Sequence, residues 1–271
     1  DIAHSSYRPD PSFDATPTYA RKITAGVERS LDTDTTVTVE YMNIAGIHLP
    51  RLRNATLTLP PQFALEQSAV SKYQGVSVSL HRRLSRDLTY LLAYTAGSAR
   101  DDASDFDEQP SNPANTRADW SRSRQYQAHR IVASGIFELP LDDIGAPEWL
   151  QQLGKHFDIA PVISAGSPRP INALASTDLY RTGAYPFTAR PAGLARNPFY
   201  ERGIFNTDLR VTKGFEWWKD HGIFLFGIGF YNLTNHSNAL RVSPYVGLVT
   251  YRGLIETLNA RQAQFSFQWE F

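Results

Sequence analysis

Cysteine is absent from the 271 residues, which removes disulfides, thiolate metal sites and cysteine catalysis together. Net charge is absent as well. The 27 basic and 27 acidic residues cancel, so no global field points to nucleic acid as a partner. No run approaches the ~18 to 20 consecutive apolar residues that a membrane helix needs, which excludes an α-helical membrane protein. Strands that cross a membrane are not excluded, because every second residue of such a strand can be polar. The seven histidines are scattered, with no His-x-x-x-His or His-Glu-x-x-His pattern. No serine sits in a nucleophile elbow. The chain therefore offers no catalytic residue and no cofactor site. The first residues, Asp1-Ile-Ala-His4, lack the basic region and apolar run of a signal peptide. An exported chain that begins this way is expected to be a mature product or a piece of something longer. Methionine occurs once, against 13 Tyr and 15 Phe, a balance that favours strands over helices.

What is present is alternation, clearest at the C-terminus. Arg261, Ala263, Phe265, Phe267, Trp269 and Phe271 share one parity, and Gln262, Gln264, Ser266, Gln268 and Glu270 share the other. A strand places alternate side chains on opposite faces, so one face is aromatic and the other wholly polar. Aromatic residues against lipid and amides against a wet lumen give this pattern. A strand ending on Phe is a feature of bacterial outer-membrane barrels, and this stretch resembles them.

The same pattern recurs upstream. Val37, Val39 and Tyr41 alternate with Thr36, Thr38 and Glu40, across a tight Asp32-Thr-Asp34 turn from the segment at residues 19–31. Val76, Val78 and Leu80, then Leu88, Tyr90, Leu92 and Tyr94, flank a second short break at Ser85-Arg-Asp87. Strands are also expected at residues 130–139, 157–164, 204–211 and 222–233, with one helical turn around Glu148-Trp-Leu150. Pro161 weakens the strand that contains it. Long proline-bearing or polar loops are expected at residues 46–68, 97–124, 166–203 and 234–258. Short and long connections thus alternate, as periplasmic turns and extracellular loops do in membrane barrels. The reading is an all-β fold, an antiparallel transmembrane β-barrel segment of about nine strands, each near the ~9 to 11 residues of a tilted span. Single-chain bacterial barrels have an even number of strands with both ends periplasmic. An odd number, with residues 1–16 as the end of an extracellular loop, predicts an incomplete barrel whose other strands lie upstream.

At this level the segments resemble TonB-dependent outer-membrane receptors, particularly the Oar-like group with a carboxypeptidase-regulatory-like N-terminal domain. Ser71-Lys-Tyr-Gln-Gly-Val-Ser-Val-Ser-Leu-His-Arg-Arg-Leu-Ser85 is similar to the family's S-x-Y-N-A-L strand, and residues 88–102 to the strand and loop that follow it. His129-Arg130 with Phe137-Glu-Leu-Pro140 resembles the strand that ends Y-E-L-P. Ser164-Ala-Gly-Ser-Pro168 resembles x-S-G-x-P. Residues 206–213 with Phe230-Tyr-Asn-Leu-Thr-Asn-His236 resemble D-L-R-x-x-K followed by F-N-L-F-N-H. Gln74, Gln127 and Thr234 depart from the family's Asn, Arg and Phe. The resemblance implies a barrel of about 22 strands filled by a plug, which takes up a scarce siderophore, oligosaccharide or peptide-like ligand with energy from TonB. It also implies the partners: outer-membrane lipid of a Gram-negative bacterium, the plug and remaining strands of the same polypeptide, and the barrel-assembly machinery through the C-terminal strand. TonB would be reached only through the N-terminal part, which is not in this chain. A small self-contained or oligomeric porin-like barrel and a soluble carbohydrate-binding β-sandwich are the alternatives.

Site residues follow from parity. Glu40, Gln262, Gln264 and Gln268 are expected to face the lumen, and Phe224, Phe226, Phe230, Phe265, Phe267 and Trp269 to face lipid. Phe271 is the C-terminal barrel signature. The acidic run containing Asp101, Asp102, Asp105 and Asp107 could hold a hard cation, but it lacks the turn glycine and ligand spacing of a cation loop, and a solvated loop is the plainer expectation.

Overall fold

The structure, a computed structural model, describes residues 6–9, 16–54, 62–84, 88–138, 145–179, 188–191, 193–216 and 222–270. Phe271, Trp217, Trp218, the Ser85-Arg-Asp87 break and residues 1–5 and 10–15 lie outside them. In chain order the strands begin with β1 (Ser6–Pro9), β2 (Tyr19–Ser30), β3 (Thr35–Asn54), β4 (Gln62–Leu84) and β5 (Leu88–Asp101). After a 3-10 turn at Thr116–Asp119 come β6 (Ser121–Arg122), β7 (His129–Glu138), helix α1 (Glu148–Gly154) and β8 (Phe157–Gly166). Three short pairs of residues follow: β9 (Pro170–Ile171), β10 (Leu174–Ala175) and β11 (Phe199–Tyr200). The chain ends with β12 (Ile204–Glu216), β13 (Ile223–Tyr231), β14 (Ala239–Val242), β15 (Tyr245–Val246), β16 (Leu254–Thr257) and β17 (Gln262–Glu270).

The long strands form one antiparallel sheet in the order β17-β13-β12-β8-β7-β5-β4-β3-β2, with β1 and β6 attached at its loop end. Each long strand is next to its long neighbour in sequence, so the sheet is an up-and-down meander. Among the described residues β2 and β17 do not pair with each other, and the sheet is an open arc rather than a closed barrel.

Register carries a single face across the whole arc. Val39 lies opposite Val27 and Val78, Val78 opposite Tyr94, and Tyr94 opposite Ile131. The line continues from Ile131 to Ala165 and from there to Phe205. Lower down, Val211 links Ile159 to Ile228, and Ile228 meets Phe265. The side-chain period of a strand is two, so these pairings fix the opposite parity on the other face everywhere. Among the described residues the sheet has no core layer beneath its long strands. Its large buried residues cluster instead at the end that carries the long connections.

Two expectations change. The segment at residues 46–68 is mostly strand, because β3 runs on to Asn54 and β4 starts at Gln62. Register shifts between Gly46 and Leu49 and between Leu49 and Pro50 absorb the proline, as bulges do when a residue cannot donate to a ladder. With 20 residues, β3 is far longer than the ~9 to 11 residues of a tilted membrane-spanning strand. Pro161 is likewise tolerated inside β8. The β7–β8 ladder passes from Ser134–Val162 to Phe137–Ile159 and leaves that position unpaired on the β7 side.

Candidate functional site

One face of the sheet is aromatic where the terminal hairpin lies. Phe224 is opposite Trp269, Phe226 opposite Phe267, Ile228 opposite Phe265 and Phe230 opposite Ala263. The rings touch: Phe226 and Phe267 have centroids 5.0 Å apart, Phe224 and Phe267 5.4 Å, and Phe224 and Trp269 5.7 Å. Phe265 is nevertheless 78% exposed, Phe267 60% and Trp269 53%. A ring ladder bare to this degree in water would forgo roughly 1.5–3 kcal/mol per side chain. Toward the loop end the same face becomes amphipathic, where the Tyr94 hydroxyl meets Nδ1 of His129 at 2.7 Å.

The opposite face carries Glu40 and the three glutamines. Gln264 is opposite Gly229, Gln262 opposite Tyr231 and Gln268 opposite Leu225. The Tyr231 hydroxyl donates to Gln264 Oε1 at 2.9 Å, and Gln268 Nε2 donates to Glu270 Oε1 at 3.0 Å. Glu40 lies between Gly26 and Ser77 on this face. This face is not uniformly polar. Leu91, Ile136 and Val162 share its parity and are exposed.

At the loop end, buried ion pairs join connections that are distant in sequence. Arg51, on the upper part of β3, is completely buried and bonds Asp102 at 2.6 Å. Arg196, in the β8–β12 connection, bonds Asp101 and Glu108 at 2.6 Å each and donates to Ser104 Oγ at 2.7 Å. Arg190 pairs with Asp119, which also accepts from the Ser111 amide and hydroxyl. Asn197 Nδ2 donates to the Arg122 carbonyl at 2.7 Å. The β13–β17 connection joins through the parallel pairing of β10 with β15 and through Asn238, which bonds both the amide and the carbonyl of Phe205 at 2.8 Å. Four connections thus make one interlocked cap.

Charge in the cap is matched locally. Burial would raise the Glu108 carboxyl, but hydrogen bonds and charge from Arg196 outweigh it and hold Glu108 below the usual carboxylate range. Burial also works against Asp119, and Arg190 and Ser111 win in the same way. Arg196 gains in turn: burial disfavours its charge, yet Glu108 and Asp101 raise its affinity for the proton.

The four aspartates of the acidic run do not converge. Asp101 and Asp102 turn to different arginines, while Asp105 and Asp107 are exposed. Among the described residues no group of three or more His, Asp or Glu could hold a metal ion. Arg51, Arg190 and Arg196 escape a reading by motif, since their partners lie 51 or more residues away. The available signal was a long acidic run inside a chain of zero net charge, which requires cations somewhere to meet it.

The chain belongs to the outer-membrane β-barrel domain family, whose model matches residues 3–194, and its place is the outer membrane. Its fold is similar to part of several solved outer-membrane proteins. It superposes on the outer-membrane transporter YddB from Escherichia coli with a TM-score of 0.62 at 9% identity, covering 98% of this chain and 34% of that one. For BauA, the ferric preacinetobactin receptor from Acinetobacter baumannii, the TM-score is 0.59 at 12% identity, over 97% of this chain and 32% of the receptor. For the pyoverdine receptor FpvA of P. aeruginosa it is 0.57 at 12% identity, over 94% and 27%. The chain spans about a third or less of the length of these proteins. No curated protein sequence matches it.

Proposed function

We propose that the chain is the C-terminal part of the barrel of a TonB-dependent, Oar-like uptake receptor. It supplies wall, lumen lining and surface loops for a siderophore, oligosaccharide or peptide-like ligand, with the ring ladder against lipid and Glu40, Gln262, Gln264 and Gln268 toward the lumen. The observation that carries this reading is the open arc. Among the described residues, a nine-strand meander with a lipid-compatible face leaves the outer edges of β2 and β17 unpaired, and a membrane does not tolerate lipid-exposed sheet edges. Further strands of the same polypeptide would close it. The inward Leu91, Ile136 and Val162 favour a filled lumen over an open water channel, since exposed apolar side chains on that face need cover. A plug supplies that cover. TonB would act on the plug region, and the barrel-assembly machinery on β17 and Phe271.

The test is the size and energetics of the native product. An antibody to the 101–119 loop should detect an outer-membrane band several times heavier than 30.4 kDa. Ligand uptake through it should stop when the proton gradient is collapsed. A band close to the mass of this chain, with gradient-independent permeation, would replace this reading with an oligomeric porin-like barrel.

A further inference from the structure

Helix α1 stands apart from the face pattern, in the connection between β7 and β8 at the turn end of the sheet. It has no side-chain cap at its start, where Pro147 precedes it. Its final carbonyls would normally be left to water. Instead Lys213 donates to the carbonyl of Gln152 at 3.1 Å and also to that of Lys155. Lys213 lies opposite Phe157 and Phe226, on the parity of the ring ladder, and its ammonium rests 5.5 Å from the centre of the Phe215 ring. A cation on a lipid-facing strand is costly unless it reaches polar partners at the membrane margin. The end of α1 provides them, with the favourable sense of the helix dipole. On the other side of the rim, Lys155 bonds Glu216 at 2.5 Å and His156 approaches the same carboxylate at 3.3 Å. Two pins therefore fix α1 at the level where the apolar band ends. Trp149 on this helix is 64% exposed.

We propose that α1 is an interfacial foot, resting on the phospholipid surface of the turn-side leaflet, with Trp149 in the glycerol zone. What identifies lipid as the occupant is continuity. The residue that pins α1 belongs to the face already assigned to the bilayer, and an exposed tryptophan on the helix that Lys213 holds at that level matches the chemistry of the membrane–water interface. The inference rests on the membrane reading of the barrel but not on its ligand or its energy source.

Nitroxide labels in the full receptor, in phosphatidylethanolamine–phosphatidylglycerol vesicles, test it. A label at Trp149→Cys should collide with oxygen several-fold more, relative to a water-soluble nickel chelate, than one at Asp34→Cys in the β2–β3 turn. Adding Lys213→Met should increase its mobility. Chelate access equal to that at Asp34, or unchanged mobility in the Lys213 variant, overturns the proposal. A label at Phe267→Cys separates the two readings: lipid contact there with water contact at Trp149 sinks only the foot, whereas water contact at both sinks the membrane face itself.

Discussion

Arg196 illustrates how single residues hold the cap. It is buried between two carboxylates and a serine hydroxyl from another connection, an arrangement whose interruption leaves charge without a partner in a poorly solvated place. Arg196→Ala is expected to weaken the cap by about 3–5 kcal/mol, seen as faster proteolysis in 101–119 while the spans stay resistant. Unchanged proteolysis would show that the pair adds nothing to loop order. On the face proposed to meet lipid, the governing cost is transfer of charge into lipid. Phe267→Lys should cost about 2–4 kcal/mol near the middle of the band and less toward its margins, read from denaturant titration in vesicles. Gln264→Lys, of the other parity, should be nearly silent. Equal effects at both positions would contradict the assignment of faces.

Among the elements, the terminal hairpin depends on a backbone device. Gly222 has φ +101°, and an added Cβ would run into the Glu270 carbonyl of β17 and lie 2.9 Å from the indole nitrogen of Trp269. Gly222→Ala is expected to cost at least ~1 kcal/mol and to loosen β17 from β13, visible as faster amide exchange in 262–270. The cap responds to acid instead. Glu108 and Asp119 titrate below their ordinary values of 4.5 and 3.8, so the folded cap binds fewer protons than the open one. Their stabilisation is complete above those values and is lost as pH falls through the lowered ones. Exchange in 101–119, corrected for its intrinsic pH dependence, should therefore be flat from about pH 7 to 5 and rise only below about 4. A rise already near pH 6 would point to histidine instead.

Sequence reading succeeds in some of these elements and fails in others. Alternation at residues 224–230 and 265–269 was legible because register transmits parity between neighbours and every span obeys the same two-residue period. The helical turn at Glu148 was legible as a longer connection with its own apolar residues. The upper halves of β3 and β4 were not, since Pro50 reads as a breaker until the bulges that accommodate it are seen. The cap was hidden for another reason. Arg196 and Asp101 are 95 residues apart, and no local pattern encodes which cation meets which carboxylate.

At the scale of the whole molecule, the protein is on the proposed reading a sheet between two environments, lipid on one face and water or protein on the other, with β2 and β17 unpaired to each other among the described residues. The connections at one end lock into a charged cap, while those at the other are short or pinned against the rim. Cysteines placed one at a time along β17, in the full receptor in vesicles, measure the central claim most directly. Positions 265, 267 and 269 should resist a water-soluble maleimide, and fluorophores attached there should be quenched by lipid-borne reagents, while those at 262, 264 and 268 should not. Uniform reaction with the water-soluble reagent along all six positions would contradict it.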